Sequence, residues 1–405
     1  MSRLARYREL LGRIEPTGPA GFGVLPGIHV PPATRLAEKL ATALALRPSS
    51  SHLVVGVIGS GKTTTVRAAA KELKVHVQGT GDRVEYVDVS RLHQLDAEPL
   101  PGVLIALAGL QLAKQAAKSQ SITAEITRAS VAIGRHAHGY LEWVEWEQQN
   151  EDHDSDGDAD DDGDRSVYYP GKLKPPAKPA LRFQSLVEPL RVLREAGGAN
   201  QNVIFIFDSL DRLESSARFR DAVEHDILIL GRAGIGTVVV GPMRFGLSPS
   251  RSIAEHFAEI HVVQTANANS AEGLAFLAQV LRSRASVEIM PDGSLVEIAR
   301  ASGGVLRDLL SIATRAAMDA YDLGHDVIEE IDVRSAVQAI GAAKAIGLDS
   351  ASLSTLRRVA AGEAFKLEEQ NLSMVERGQV VQAEVGVWNV HPALELFLTS
   401  ASEAA

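Results

Sequence analysis

The chain contains no cysteine. A disulfide scaffold, a thiolate zinc site and a cysteine nucleophile are therefore excluded. Long apolar runs are missing as well. The most apolar stretch, VLIALAGLQLA from Val103 to Ala113, falls well short of the roughly 20 residues that span a bilayer. The opening MSRLARYRELLGRIEP has no apolar segment, so no secretory signal is expected there. There is no excess of basic charge: 41 Lys and Arg stand against 51 Asp and Glu, a net of −10. Nothing general in that balance draws the chain to nucleic acid or to an anionic membrane. No internal repeat and no N-K-x-D motif occurs. These absences predict a soluble, cytoplasmic protein without a membrane partner.

What is present is ordinary globular material. The chain has 405 residues, 45% apolar and 23% charged, enough for two or three domains with a sizeable core. Its acidity is concentrated. Residues 151–164, EDHDSDGDADDDGD, hold nine acids and no Lys or Arg, and without them the body is nearly neutral. The lysine- and proline-rich SVYYPGKLKPPAKPA follows, so 150–180 reads as a loosely held insert. Asp152, Asp154, Asp156 and Gly157 begin like a calcium loop, but the twelfth position is Gly163 rather than a bidentate Glu.

Apolar runs of strand length lie at 84–89, 202–207, 237–241 and 259–263 and alternate with helical periodicity. They predict an α/β fold with a parallel sheet covered by helices on both faces. Helical periodicity near 102–118 and across 122–147 places Trp143 and Trp146 on one packing face. His136 and His138 lack a further ligand at metal spacing and read as structural or surface residues. From 268 the pattern turns all-helical, with helices expected at 270–284, 293–301, 305–322 and 333–345. Asn269 with Glu272, Asp292 and Asp332 are candidate N-terminal caps. Residues 380–391 read as a small hairpin around Gly386. The expected divisions are 1–32, an N-terminal helix and linker; 33–267, a core interrupted by the insert; 268–345, a helical lid; and 346–405, a small C-terminal domain.

Gly56-Val57-Ile58-Gly59-Ser60-Gly61-Lys62-Thr63 matches the phosphate-binding loop G-x-x-x-x-G-K-[ST] without a departure. An apolar strand precedes it and a helical segment follows. Glycines let backbone amides curl around phosphate oxygens, and the helix start adds a positive dipole end. Lys62 is expected on the β and γ phosphates and Thr63 on Mg2+, with Gly56, Gly59, Ser60, Gly61 and Thr64 completing the nucleotide contacts. Beside the Thr63 hydroxyl such a site needs a carboxylate for the metal, from a buried strand end. VIFIF followed by Asp208 supplies it.

At Asp208-Ser209-Leu210-Asp211-Arg212 the chain resembles AAA+ and STAND-type P-loop ATPases, KAP-like or Orc1/Cdc6-like. The strand VEYVDV between the two motifs agrees with their extra-strand (ASCE) topology. That resemblance implies ATP and Mg2+ as cofactors and an ATPase activity. Where many AAA+ proteins have a water-polarising Glu, this chain has Ser209; Asp211 is the substitute. Arg244, after the strand TVVVG, resembles a STAND arginine that contacts the γ-phosphate, and it suits that role by its permanent forked charge. Arg251 is a poorer candidate for a finger acting between subunits. Ser302-Gly303-Gly304-Val305-Leu306-Arg307 resembles the second sensor of a helical lid, with Arg307 reaching the γ-phosphate. The last segment resembles a winged helix.

The resemblance leaves three function classes open. The first is an ATP-dependent switch, with slow hydrolysis allowed by Ser209, of the kind built into bacterial signalling or defence ATPases. Its partner would be a protein or a second copy, met through the C-terminal domain. The second is a DNA-associated ATPase of initiator or transposition-helper type. Residues 350–405 set Arg357, Arg358, Lys366 and Arg377 against seven glutamates, which does not favour DNA. The third is a nucleotide-binding scaffold that never hydrolyses.

Overall fold

The computed structural model describes residues 2–15, 30–32, 34–91, 101–118, 122–138, 141–143, 170–173, 183–198, 201–213, 215–247, 251–384 and 386–403. In chain order the elements begin with α1 (Arg3–Ile14), α2 (Leu36–Leu46), β1 (Ser51–Val55), α3 (Lys62–His76), β2 (Arg83–Asp88), α4 (Val103–Ala116) and α5 (Ala124–His138). Next come β3 (Leu141–Trp143), β4 (Pro170–Leu173), α6 (Val187–Ala196), β5 (Val203–Asp208), α7 (Ser216–Arg232), β6 (Gly236–Gly241), α8 (Arg244–Leu247), α9 (Arg251–Ala254) and β7 (Glu259–Val262). The remainder is α10 (Ala271–Arg282), α11 (Asp292–Ala301), α12 (Leu306–Leu323), α13 (Glu330–Ala345), α14 (Ser350–Ala360), α15 (Leu372–Glu376), β8 (Val380–Glu384), β9 (Val387–Val390) and α16 (Pro392–Glu403).

The chain divides into two compact units. One comprises residues 37–54 and 66–261. Its centre is the five-stranded parallel sheet of order β2-β5-β6-β1-β7. β2 pairs with β5 in register from Arg83 with Val203 to Asp88 with Asp208, and β5 pairs with β6. β5 and β6 are buried at every position, as continuous apolar runs require when both faces are covered. The strand that ends in Asp208 and the strand that leads to the phosphate loop are separated by β6, which is the extra-strand order.

In the same unit the helix α4 is buried along almost its whole length. Its orphan N–H groups are capped from another element. The fully buried Asp226 of α7 accepts from the amides of Gly102 at 2.6 Å and Leu104 at 2.8 Å. Gly102 sits at φ +92°, and its carbonyl lies 2.9 Å from the buried His136 Nε2, so of the two roles expected for His136 the structural one applies.

One helix prediction is overturned here. The helical stretch expected to continue to 147 stops at His138, and Leu141–Trp143 instead pairs antiparallel with Pro170–Leu173. Trp143 thus stands on a strand, not on a helix face shared with Trp146. A helical spacing of two tryptophans cannot distinguish the two when the cross-strand partner lies some 30 residues away in sequence. Trp146, the acidic run and the calcium-like loop lie outside the described residues.

The other unit comprises residues 1–36, 55–65 and 262–405. α10 to α13 share one core built on Leu277, Leu281, Ile298, Leu309, Ile312 and Ala316. α1 belongs to that core through Tyr7, Leu10 and Ile14. Tyr7 donates to the His325 carbonyl at 3.2 Å, and Arg13 donates to the Ser283 carbonyl at 2.9 Å. Three caps differ from expectation by local chemistry, and in α11 the cap position falls to Pro291, which puts Asp292 inside the helix. Ser270, not Asn269, caps α10 by accepting from Gly273 N at 3.0 Å. Glu329 caps α13 in a capping box, and Asp332 is its reciprocal third residue, accepting from Glu329 N at 2.8 Å. Asp292 opens α11, where a first-turn acid complements the dipole. After α14 and α15, β8 and β9 form an antiparallel hairpin that turns at Gly386 with φ +81°.

Candidate nucleotide site

The phosphate loop leaves β1 at Val55 and enters α3 at Lys62. Gly59 has φ +87° and Gly61 has φ +98°, which a side chain disfavours. The first-turn amides of α3 have no partner within their own helix, so the bend presents donors to an anion. Lys62 is buried, and its Nζ donates to the Gly56 carbonyl at 2.8 Å and the Val57 carbonyl at 3.0 Å. The ammonium is thus held over the loop's own carbonyls. Ser60 Oγ is buried without a hydrogen-bond partner among the described residues. Thr63 and Thr64 are half-buried in the first turn of α3.

The same unit brings Arg307 to this loop. The first turn of α12 rests on Gly59: Arg307 N donates to the Gly59 carbonyl at 3.2 Å. A Cβ at Gly59 would stand 2.6 Å from Arg307 Cβ and 3.0 Å from Val305 Cγ1. Among the described residues no side chain caps the α12 N-terminus, and the loop carbonyl serves there instead. The Arg307 side chain itself is exposed. A second contact comes from α15, where the Glu376 carbonyl accepts from Ile58 N at 3.4 Å.

The residue after Arg307 anchors that turn. Asp308 Oδ2 lies 2.8 Å from Lys344 Nζ and 3.1 Å from His391 Nε2. Burial pushes the Asp308 carboxyl up, but His391 and Lys344 together outweigh it and hold it below the usual carboxylate range. Burial also lowers the pKa of His391, whose ring takes a hydrogen bond from Ala393 N on its other nitrogen. Lys344 donates to the Gly378 carbonyl at 3.1 Å. One charged node therefore ties α12 to α13 and to the segment carrying β8, β9 and α16. Sequence reasoning missed it, because no spacing marks three residues from three distant elements.

In the other unit, the carboxylate Asp208 ends β5 and is buried. Its Oδ2 accepts from Tyr86 Oη at 2.5 Å and its Oδ1 from Ser209 N at 2.7 Å. Burial, and then the Asp208 charge, push the Tyr86 hydroxyl far above its ordinary pKa, so it remains a donor. Ser209 occupies the left-handed region at φ +76°, a strained setting for a residue with a side chain. Its Oγ donates to Asp88 Oδ1 at 2.8 Å, which also accepts from Ser90 Oγ at 2.7 Å. Asp88 ends β2 directly opposite Asp208 in register. It went unselected in the sequence, although a strand-end acid in VEYVDV carries the same signal as Asp208. Asp211 is half-buried in the short 3-10 turn that follows, and Arg244 opens α8 three residues beyond β6.

No protein-family model matches this chain, and no curated protein matches it. Solved structures do. The ORC2 protein of Aeropyrum pernix, solved as ADPNP–ADP complexes, is 17% identical with a TM-score of 0.45, covering 93% of this chain and 97% of its own. A Walker-type ATPase of Pyrococcus abyssi is 14% identical with a TM-score of 0.49, covering 92% and 99%. The RuvB branch-migration motor of Thermotoga maritima is 15% identical with a TM-score of 0.40, covering 88% and 91%. At such identities the activity has to be argued from the residues themselves.

Proposed function

We propose that this protein is an ATP-binding P-loop ATPase of AAA+/STAND type that works as a nucleotide-dependent switch. One observation carries the reading: the glycine-bent loop at Lys62 caps, through the Gly59 carbonyl, the first turn of the helix that bears Arg307. Anything that occupies the loop is then felt at α12, and through Asp308, Lys344 and His391 at the C-terminal segment.

The residues fit a Mg-nucleotide. Gly59 and Gly61 take the left-handed turns that bend the loop's amides inward, and Ser60 Oγ is a buried polar atom with no hydrogen-bond partner among the described residues. Lys62 would exchange its carbonyl partners for phosphate oxygens, and Arg307 would add a second positive group. Thr63 and Asp208 would hold Mg2+, which supplies charge neutralisation at the phosphates. Tyr86 orients Asp208. Asp211, or Asp88 through Ser209, would orient water, and Arg244 would contact the γ-phosphate within the same chain. The left-handed Ser209 replaces the usual glutamate, which favours slow turnover over rapid cycling. The helices and hairpin after residue 350 are read as a winged helix, and their net negative charge favours a protein partner over DNA.

Calorimetry with ATP and Mg2+, paired with phosphate release, tests this. Lys62→Ala should weaken ATP binding by about 10- to 100-fold, the worth of a charge-assisted contact. Asp208→Asn should retain binding and lose turnover. ATP binding without turnover in the unaltered protein would leave the scaffold reading, and no binding at all would end both. Among Asp88→Asn and Asp211→Asn, the one that abolishes turnover identifies the base. A salt-dependent DNA affinity would turn the reading to the initiator-like class.

A further inference from the structure

Away from the phosphate loop, at the opening of β1, four side chains form a line. Ser50 Oγ lies 2.8 Å from His52 Nε2, His52 Nδ1 lies 3.0 Å from His261 Nε2, and His261 Nδ1 lies 3.6 Å from Glu259 Oε1. His52 stands on β1, and His261 and Glu259 stand on the neighbouring edge strand β7. Both imidazoles are buried, and the Glu259 carboxylate is 54% exposed.

The protons of this line do not balance for neutral rings. Ser50 Oγ is 2.6 Å from the Arg47 carbonyl, so its one proton goes there. Toward His52 the hydroxyl can then only accept, which places the His52 proton on Nε2 and leaves Nδ1 bare. His261 can satisfy one neighbour but not both. A proton on Nε2 serves His52 and leaves Nδ1 bare against the Glu259 carboxylate. A proton on Nδ1 serves Glu259 and leaves two bare nitrogens facing each other in a buried place. An extra proton would cure this only by placing a charge on a buried ring, which burial disfavours.

We propose that His52 and His261, with Glu259, form a binding site for a divalent transition metal of the zinc class. A donor atom from each of the three side chains lies within 4.8 Å of the other two. Two nitrogens bound to one ion at about 2.1 Å each stand roughly 3.0–3.4 Å apart, which brackets the observed spacing within a small ring rotation. Neutral imidazole with carboxylate suits zinc, copper or nickel rather than magnesium or calcium. Ser50 on the far nitrogen of His52 is the outer partner that fixes a metal-binding tautomer, and Glu259 serves as third ligand or as that partner for His261. The exposed Glu259 also marks the way in. The ion would cross-link β1 to the edge strand, a role independent of nucleotide chemistry.

Metal-stripped full-length protein titrated calorimetrically with ZnCl2 tests the site, with no nucleotide present. One Zn2+ per chain is expected, and it should raise the thermal midpoint. His52→Asn and His261→Asn should abolish that binding. The exposed Glu259→Gln, which leaves the buried pair in place, should weaken it by about 10- to 100-fold. His76→Asn should leave it unchanged, since His76 lies on the surface of α3 beside Glu72. Circular dichroism separates loss of the site from loss of the fold. The proposal is overturned if the unaltered protein binds no Zn2+, or if Zn2+ binding survives Glu259→Gln and either histidine variant unchanged; the line is then a proton-sharing pair.

Discussion

Gly59→Ala is the sharpest probe of the seat between the phosphate loop and α12. The left-handed backbone at φ +87° costs a side-chain-bearing residue about 1–2 kcal/mol. The new Cβ would meet Arg307 Cβ at 2.6 Å, where ordinary contact begins nearly an ångström further out. Arg307 Cβ is the root of a helical side chain and cannot swing away, so the turn itself must move. Such overpacking costs about 1–3 kcal/mol. Displacing the turn also breaks the bond from Arg307 N to the Gly59 carbonyl, worth about 1 kcal/mol. The expected loss is about 3–6 kcal/mol in urea denaturation followed by circular dichroism. Gly12→Ala is the control in the same unit: it lies in α1, and among the described residues nothing comes within 4 Å of the added methyl. It should be neutral or stabilising by about 0.5–1 kcal/mol. If Gly59→Ala costs no more than Gly12→Ala, α12 does not rest on the loop and the switch reading loses its coupling.

Two further predictions follow from buried charge. Burial pushes the Asp226 carboxyl up to about 7 against the pull of the α4 amides. The folded state therefore holds a proton that the unfolded chain has released, and stability should fall as pH rises from about 4 to about 7. Asp226→Asn should flatten that slope in a series of urea midpoints against pH; an unchanged slope would refute the assignment. Asp308 has the opposite sign. Its lowered pKa contributes stability that is present above about pH 4 and is lost as pH falls through the folded value. Asp308→Asn leaves Lys344 and His391 without their anion, should cost about 3–5 kcal/mol at neutral pH, and should lose less than the unaltered protein on acidification.

The phosphate loop was legible because its chemistry is local. Eight consecutive residues between an apolar strand and a helix carry both the bend and the charge. The buried strands β5 and β6 were legible for the same reason, as unbroken apolar runs. Asp208 could be read from the end of such a run, and Asp88 could have been. Caps were readable to within one to three residues. The choice between Asn269 and Ser270 is set by which side-chain oxygen reaches an amide, and the sequence offers both.

Composition and local pattern by themselves determined a parallel α/β core with a phosphate loop, a helical region after residue 268 and a closing hairpin. Each of these depends on neighbours in the chain, through backbone preference or hydrophobic period. Tertiary structure decided which distant groups share a space. It set α1 into the helical core, put a loop carbonyl at the head of α12, joined Asp308 to Lys344 and His391, and stood His52 against His261. Such pairings are fixed by packing in three dimensions, where the energies of burial and charge act over a few ångströms regardless of how many residues lie between.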